Sequence, residues 1–263
     1  MDYRLKRRII LSCAALVIGL LLGAILCLPF IVAFTEGSTV YWDGYVVASN
    51  FSNASHVVTF VNGSWIMGEV KPNILGKLLP TAWESDYWVG IGGYNSDINI
   101  VQIGTEARYV NNYREPFVNY SAWYELFNEP KVIIKNFTVS YNDVMYASVT
   151  CLSNCSKQRQ VWQLSLRDLT RKENFSTTSQ FNATRRYGEW VIELRPVDLY
   201  SNLYINRSPS YFGERYTAIN RTNYATVNST TGRIKSFKYK LVNMSGIEAV
   251  SNLTYDGTSF YIR

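Results

Sequence analysis

A chain of 263 residues that is 47% hydrophobic and 17% charged is long enough to bury a core. Its 26 basic against 20 acidic residues leave a formal charge of +6, but four of the cations precede residue 9, so residues 35–263 carry only about +3. That surplus is small and scattered, which excludes a nucleic-acid footprint and predicts no nucleic-acid partner.

Residues 1–8 hold Arg4, Lys6, Arg7 and Arg8, and an uncharged run follows over residues 9–34. As a helix that run would reach about 39 Å, against a hydrocarbon core of about 30 Å. It also exceeds a secretory hydrophobic region of about 7–15 residues, which favours a retained signal anchor over a cleaved peptide. The cations ahead of it place the N-terminus in the cytoplasm. The expectation is a single-pass cell-membrane protein: a basic tail at 1–8, an anchor at 9–34 and one extracellular domain at 35–263. Cleavage after Ala33 would make that domain secreted. Of the 22 asparagines, 13 begin an Asn-x-Ser/Thr sequon, where composition alone would give about 3 or 4. That excess predicts N-linked glycans on an exported surface.

Beyond residue 35 helical periodicity disappears. Thirteen β-branched or aromatic runs recur between Gly, Asn, Asp and Ser clusters: Val40–Ala48, Val57–Val61, Trp65–Val70, Tyr87–Ile91, Ile98–Ile103, Trp123–Phe127, Val132–Tyr141, Val144–Thr150, Val161–Leu166, Trp190–Leu194, Tyr211–Ile219, Ile234–Val242 and Ser259–Ile262. Only Asn73–Ala82 has the look of a helical turn or a loop. Such a chain reads as all-β, an antiparallel sandwich of two packed sheets in the concanavalin/lectin manner. Alternation assigns faces. Trp123, Glu125 and Phe127 share one side of their strand. Glu189, Val191 and Glu193 oppose Trp190, Ile192 and Leu194, whose apolarity marks the inter-sheet core. Glu189 should therefore point away from that core, toward water or a groove. Cys151 and Cys155 bracket three residues between two strand-like runs, which favours a disulfide over a metal pair.

Candidates for chemistry are few. His56 is the sole histidine, so a Ser-His-Asp or Cys-His site has a single candidate base, and its place beside two sequons reads as surface. No Walker loop, dinucleotide fingerprint or kinase loop occurs, so no cofactor or metal is expected. Carboxylate chemistry remains.

Four segments in order carry a resemblance: Tyr41-Trp-Asp-Gly-Tyr45; Trp88-Val-Gly-Ile-Gly92 with Gln102 ten residues on; Ser121-Ala-Trp-Tyr-Glu-Leu-Phe127; and Gly188-Glu-Trp-Val-Ile-Glu193. Together they resemble the glutamic peptidases (eqolisins), acid-acting endopeptidases. The resemblance implies Gln102 and Glu189 as the catalytic pair and Glu125 as the residue that orients Gln102 or borders the groove. It implies Trp88 and Trp123 as the lining of apolar subsites, with Glu106 and Phe127 nearby. In that reading Glu189 takes a proton from water and returns it to the leaving amine, while the Gln102 amide holds the water and the oxyanion. An ordinary glutamate pKa near 4 would suit acidic conditions. Gly92 and Ser121 stand where the family has aspartate, Phe127 where it has tyrosine, and a glycan on Asn119 would share the face of Trp123 and Glu125. A non-catalytic glycan- or peptide-binding sandwich and a cell-surface coat component remain alternatives. With no pro-segment between Phe34 and Val40, control by pH or location is expected.

Overall fold

The computed structural model describes residues 41–78, 81–95, 97–111, 116–196, 205–243 and 249–263. The basic tail and the anchor expected at 1–34 lie outside them, and among the described residues no helix is long and apolar enough to cross a membrane.

Two antiparallel sheets face each other. In chain order the strands are β1 (Tyr41–Ala48), β2 (Val58–Ile66), β3 (Val70–Pro72), β4 (Thr81–Ile91), β5 (Val101–Asn111), β6 (Phe117–Leu126), β7 (Val132–Ile133), β8 (Val144–Ser153), β9 (Val161–Asp168) and β10 (Glu173–Gln180). They continue with β11 (Tyr187–Pro196), β12 (Ile205–Arg207), β13 (Ser210–Phe212), β14 (Tyr224–Val227), β15 (Thr230–Arg233), β16 (Lys238–Asn243) and β17 (Phe260–Ile262). One sheet runs β16-β1-β11-β4-β5-β6-β7; the other runs β10-β9-β8-β2-β13-β17, with β14 also on β2 and β15 on β14. A two-stranded β3–β12 ribbon stands apart. Among the described residues helix is confined to α1 (Ile74–Leu78), inside the segment expected to turn once, to α2 (Glu214–Thr217) and to a 3-10 turn at Ile234–Ser236.

Alternating residues fill the space between the sheets. Tyr45, Val47, Tyr87, Val89, Ile103, Trp190, Ile192 and Leu194 meet Val61, Trp65, Val149, Leu164 and Phe212 in one apolar cluster. Each aromatic side chain withdraws about 150–250 Å² from water, an upper bound of about 4–6 kcal/mol apiece. Buried indole N–H groups find acceptors: Trp65 donates to Thr105 Oγ1 at 2.9 Å and Trp190 to the Asn62 carbonyl at 2.6 Å. The core strand faces read from alternation match this packing, with Trp190, Ile192 and Leu194 inside.

Several boundaries differ from expectation. Val57–Val61 and Trp65–Val70 do not flank a turn at Asn62-Gly63-Ser64; the ladder to β8 runs unbroken from Phe60 to Ile66. Asn62 itself is only 5% exposed. Its side chain donates to Tyr146 Oη and the Arg221 carbonyl, both at 3.0 Å, and accepts from Tyr224 N–H at 2.9 Å. This sequon is a structural asparagine with no room for a glycan. Eleven other sequon asparagines are exposed, and the side chain of Asn206 is not described. Only two residues of Val132–Tyr141 are strand, because Asn136 turns the chain at φ 61°. Only Tyr211 and Phe212 of Tyr211–Ile219 are strand, in a β13 that stops at Gly213, φ 93°. β10 and the β14–β15 hairpin lacked an apolar signature: β10 is a Ser/Thr-rich edge strand, and the hairpin turns on Asn228 and Ser229, both with positive φ.

Candidate active site

The outer face of the seven-stranded sheet collects the polar residues singled out above. Along one row the Cα partners are Glu189 with Gly90, Gly90 with Gln102, and Gln102 with Glu125. Glu189 and Gln102 are thus two strand spacings apart, about 10 Å at the backbone. Between them stands a residue without a side chain. A Cβ added at Gly90 would lie 3.0 Å from Trp88 Cζ3, 3.1 Å from Gln102 Cβ and 3.2 Å from Ile100 Cδ1. The glycine therefore lets Trp88, Ile100 and Gln102 pack directly over the strand between the two functional groups.

Gln102, 3% exposed, donates from Nε2 to Glu125 Oε2 at 2.6 Å. A carboxylate only accepts, so this contact fixes which end of the amide is nitrogen. The Glu125 carboxylate thereby holds the Gln102 amide in one orientation. Glu189 Oε1 accepts from Tyr94 N–H at 3.2 Å. Among the described residues neither Glu189 Oε2 nor Gln102 Oε1 has a hydrogen-bond partner. Glu189 is fully buried, which corrects the expectation of a carboxylate facing water: it leaves the inter-sheet core but is roofed on the other side. Beside it Phe51 stacks on Tyr187 and Tyr94 packs edge-on against both, next to Val46, the cross-strand partner of Glu189 on β1. Burial pushes the Glu189 carboxyl well above its usual range, against the lowering effect of the Tyr94 N–H, and the nearby Asp97 pushes the same way. An ordinary value near 4 does not apply to it.

Two residues further along the strands comes an aromatic row. Val191, Trp88, Gly104 and Trp123 are consecutive cross-strand partners. Trp88 and Trp123 are fully buried with Ile100 and Val191, and Trp42 packs edge-on against Trp88 at 4.8 Å. They form a closed floor rather than open walls, and neither indole N–H has an acceptor among the described residues.

The next row pairs Glu193, Asp86, Glu106 and Ser121. Lys131 Nζ lies 2.9 Å from both Asp86 Oδ1 and Glu106 Oε2, and 4.6 Å above the Trp123 ring. Glu84, Asp86 and Glu106 bring carboxylate oxygens within 4.8 Å of one another; Lys131 pairs with Asp86 and Glu106, and Arg108 Nε lies 3.2 Å from Glu84 Oε1. Glu106 therefore does not join the Gln102–Glu189 pair; it lies four residues along β5, about 13 Å away. Phe127 is half exposed beyond the end of β6, its N–H donating to the Ile100 carbonyl at 2.9 Å. Asn119 is exposed and six residues from Glu125 on the same face, so a glycan there would start about 20 Å from the row of Glu189 and Gln102.

Gly92 has φ 93°, and a Cβ there would sit 2.3 Å from the Asn99 carbonyl oxygen. An aspartate cannot occupy that backbone. Asp97 brings a carboxylate to the same neighbourhood instead, held by Thr184 Oγ1 and by Asn99 N–H at 3.2 Å. Asp97 gave no sequence signal, since it lies in a loop; Asp86 was also missed, though alternation along β4 puts it on the face of Trp88. Away from this face Cys151 and Cys155 are joined by a disulfide. His56 is exposed, its Nδ1 donating to the Thr184 carbonyl.

Comparison with known proteins places the fold. No curated protein is significantly similar in sequence. Scytalido-glutamic peptidase bound to a transition-state analogue inhibitor superposes with a TM-score of 0.58 at 17% identity, over 85% of this chain and 98% of that one. SCP-B, an eqolisin in complex with the tripeptide Ala-Ile-His, gives 0.56 at 17% identity over the same shares. The family model described as the Peptidase A4 family matches residues 41–260. The chain belongs to the Peptidase A4 family, the glutamic endopeptidases.

Proposed function

We propose that the chain hydrolyses peptide bonds with a water activated between Glu189 and Gln102. The observation that carries this is the row itself: two buried polar groups on either side of Gly90, each with an uncommitted oxygen, and one locked by Glu125. Ionised Glu189 takes a proton from water as its oxygen attacks the peptide carbonyl. The N–H of Gln102 not used by Glu125 donates to the oxyanion, a contribution of about 3 kcal/mol for comparable donors. Glu189 then hands the proton to the departing amine, and the C–N bond breaks.

Substrates are proteins or peptides, since relatives with this fold bind a peptide-based transition-state analogue and a tripeptide. Because burial raises the Glu189 carboxyl, the base is charged only above the usual carboxylate range, so activity should rise with pH through a value above that of an ordinary glutamate. The tail, the uncharged run and the exposed sequons support an anchored, glycosylated, extracellular enzyme. The test is hydrolysis of a denatured protein by the full chain between pH 2 and 7, beside Glu189→Gln and Gln102→Ala. Cleavage lost in both variants supports the reading. Folded protein that cleaves nothing across the range would leave a non-catalytic binding sandwich.

A further inference from the structure

At one end of the sandwich, four loops meet around a cavity of about 480 Å³. It is lined by the lead-in to β2, the turn after β8, the residue two before β11 and the β14–β15 turn. That volume is within the range of small-molecule sites, about 300–1,000 Å³. The charge of its lining is one-sided: Arg185 and Lys157 face it, no acidic residue does, and Ser156, Asn228 and Ser229 add polar groups.

Arg185 is the unusual member. It is only 7% exposed, and its Nε has no hydrogen-bond partner. Among the described residues its guanidinium has no ion pair, and burial without a compensating neighbour lowers its pKa. Arginine stays charged in proteins, and a buried cation is ordinarily paired. The surroundings are fixed rather than incidental. The Arg185 carbonyl accepts from Val58 N–H at 2.9 Å. The disulfide Cys151–Cys155 closes the turn that presents Ser156 and Lys157, and Lys157 N–H bonds the Asn154 carbonyl at 2.9 Å. His56, tied to the Thr184 carbonyl, takes no anion-binding role itself, because Arg186 Nε donates to its Nε2 at 3.4 Å.

We propose that this cavity binds a phosphate or sulfate group, with Arg185 as the buried counter-charge, Lys157 as the second cation and the rest of the space holding the small polar molecule that carries the group. A guanidinium presents several donors to such an oxyanion, and a charge-assisted pair there supplies the partner that Arg185 lacks. The site is separate from the peptidase row: Arg185 precedes Glu189 by four residues and lies at the loop end of β11.

The test is calorimetric titration of the full chain with inorganic phosphate, inorganic sulfate and glucose 6-phosphate, with glucose and chloride at matched ionic strength as blanks. Arg185→Gln and the exposed Lys157→Ala are titrated alongside. Expected is saturable binding of the oxyanions and none of glucose, weakened about tenfold or more in Arg185→Gln and about threefold in Lys157→Ala. Tighter binding of glucose 6-phosphate than of the free ions identifies an ester as the source; equal binding identifies the free anion. The proposal is overturned if the folded wild-type chain shows no saturable binding up to about 20 mM. It is also overturned if Lys157→Ala, which leaves the buried arginine and the fold intact, and Arg185→Gln both bind as the wild type does.

Discussion

Substituting Gly90 by alanine places one methyl group between Glu189 and Gln102. Its Cβ would meet Trp88 Cζ3 at 3.0 Å, Gln102 Cβ at 3.1 Å and Ile100 Cδ1 at 3.2 Å, closer than the optimum of about 3.5–4.0 Å for carbon pairs. Trp88 is wedged by Trp42 and fully buried, and Gln102 Cβ is tied to the β5 backbone, so some of the few tenths of an ångström fall on Gln102. Overpacking of this kind costs about 1–3 kcal/mol, a Tm loss of about 2–4 °C per kcal/mol in a domain of this size. Activity should suffer as well. The methyl pushes on Gln102 by a few tenths of an ångström, short of the misplacement of about 1 Å that costs about 100-fold. Turnover of a quenched fluorescent peptide, measured below the variant's unfolding transition by circular dichroism, should fall about 10-fold in kcat. A folded Gly90→Ala with wild-type kcat would refute the placement of the reaction over Gly90.

Glu125→Ala frees the Gln102 amide to rotate, so kcat should fall about 10- to 100-fold with KM little changed. Glu125→Gln, which keeps an acceptor, should recover part of that loss. The pH profile of kcat/KM should rise with pH through a value above that of an ordinary glutamate, because the raised carboxyl of Glu189 loses its charge first as pH falls; a maximum at pH 2–3 would contradict this. Lys131→Met leaves Asp86 and Glu106 without their shared cation, and thermal unfolding near neutral pH should show a loss of about 3–5 kcal/mol. Asp256 is held down at about 2: burial alone would raise it, but hydrogen bonds from Ser259, Thr258 and Thr254 outweigh that. A depressed carboxylate stabilises above its unfolded value of 3.8 and loses that contribution as pH falls toward 2. Asp256→Asn should therefore lose about 1 kcal/mol at pH 6, after allowance for solvent screening, and nothing relative to wild type near pH 2.

Much of this was written in the chain where burial and alternation coincide. Trp190, Ile192 and Leu194 announced the core, and the same period put Glu189 on the opposite face and Glu125 on one side with Trp123. The cross-strand register that aligns Glu189, Gly90, Gln102 and Glu125 in one row depends on long-range pairing and has no local mark. The roof over Glu189 was equally hidden, because it comes from Phe51 and Tyr94 in loops distant in sequence. Asn62 read as a glycosylation turn and proved a buried hydrogen-bonding hub, since a sequon does not record exposure. The Thr- and Ser-rich β10 was invisible to a hydrophobic pattern because, as a polar edge strand, it buries little.

The central claim is that Glu189 and Gln102 act as one unit on one water. It is tested most directly by kcat/KM for Glu189→Gln, Gln102→Ala and the double variant, each verified as folded. The account predicts that each single change costs about 1,000-fold or more and that the double variant is no worse than the poorer single, as for groups that work only together. Losses that multiply in the double variant, or a single variant with wild-type kcat/KM, would contradict it.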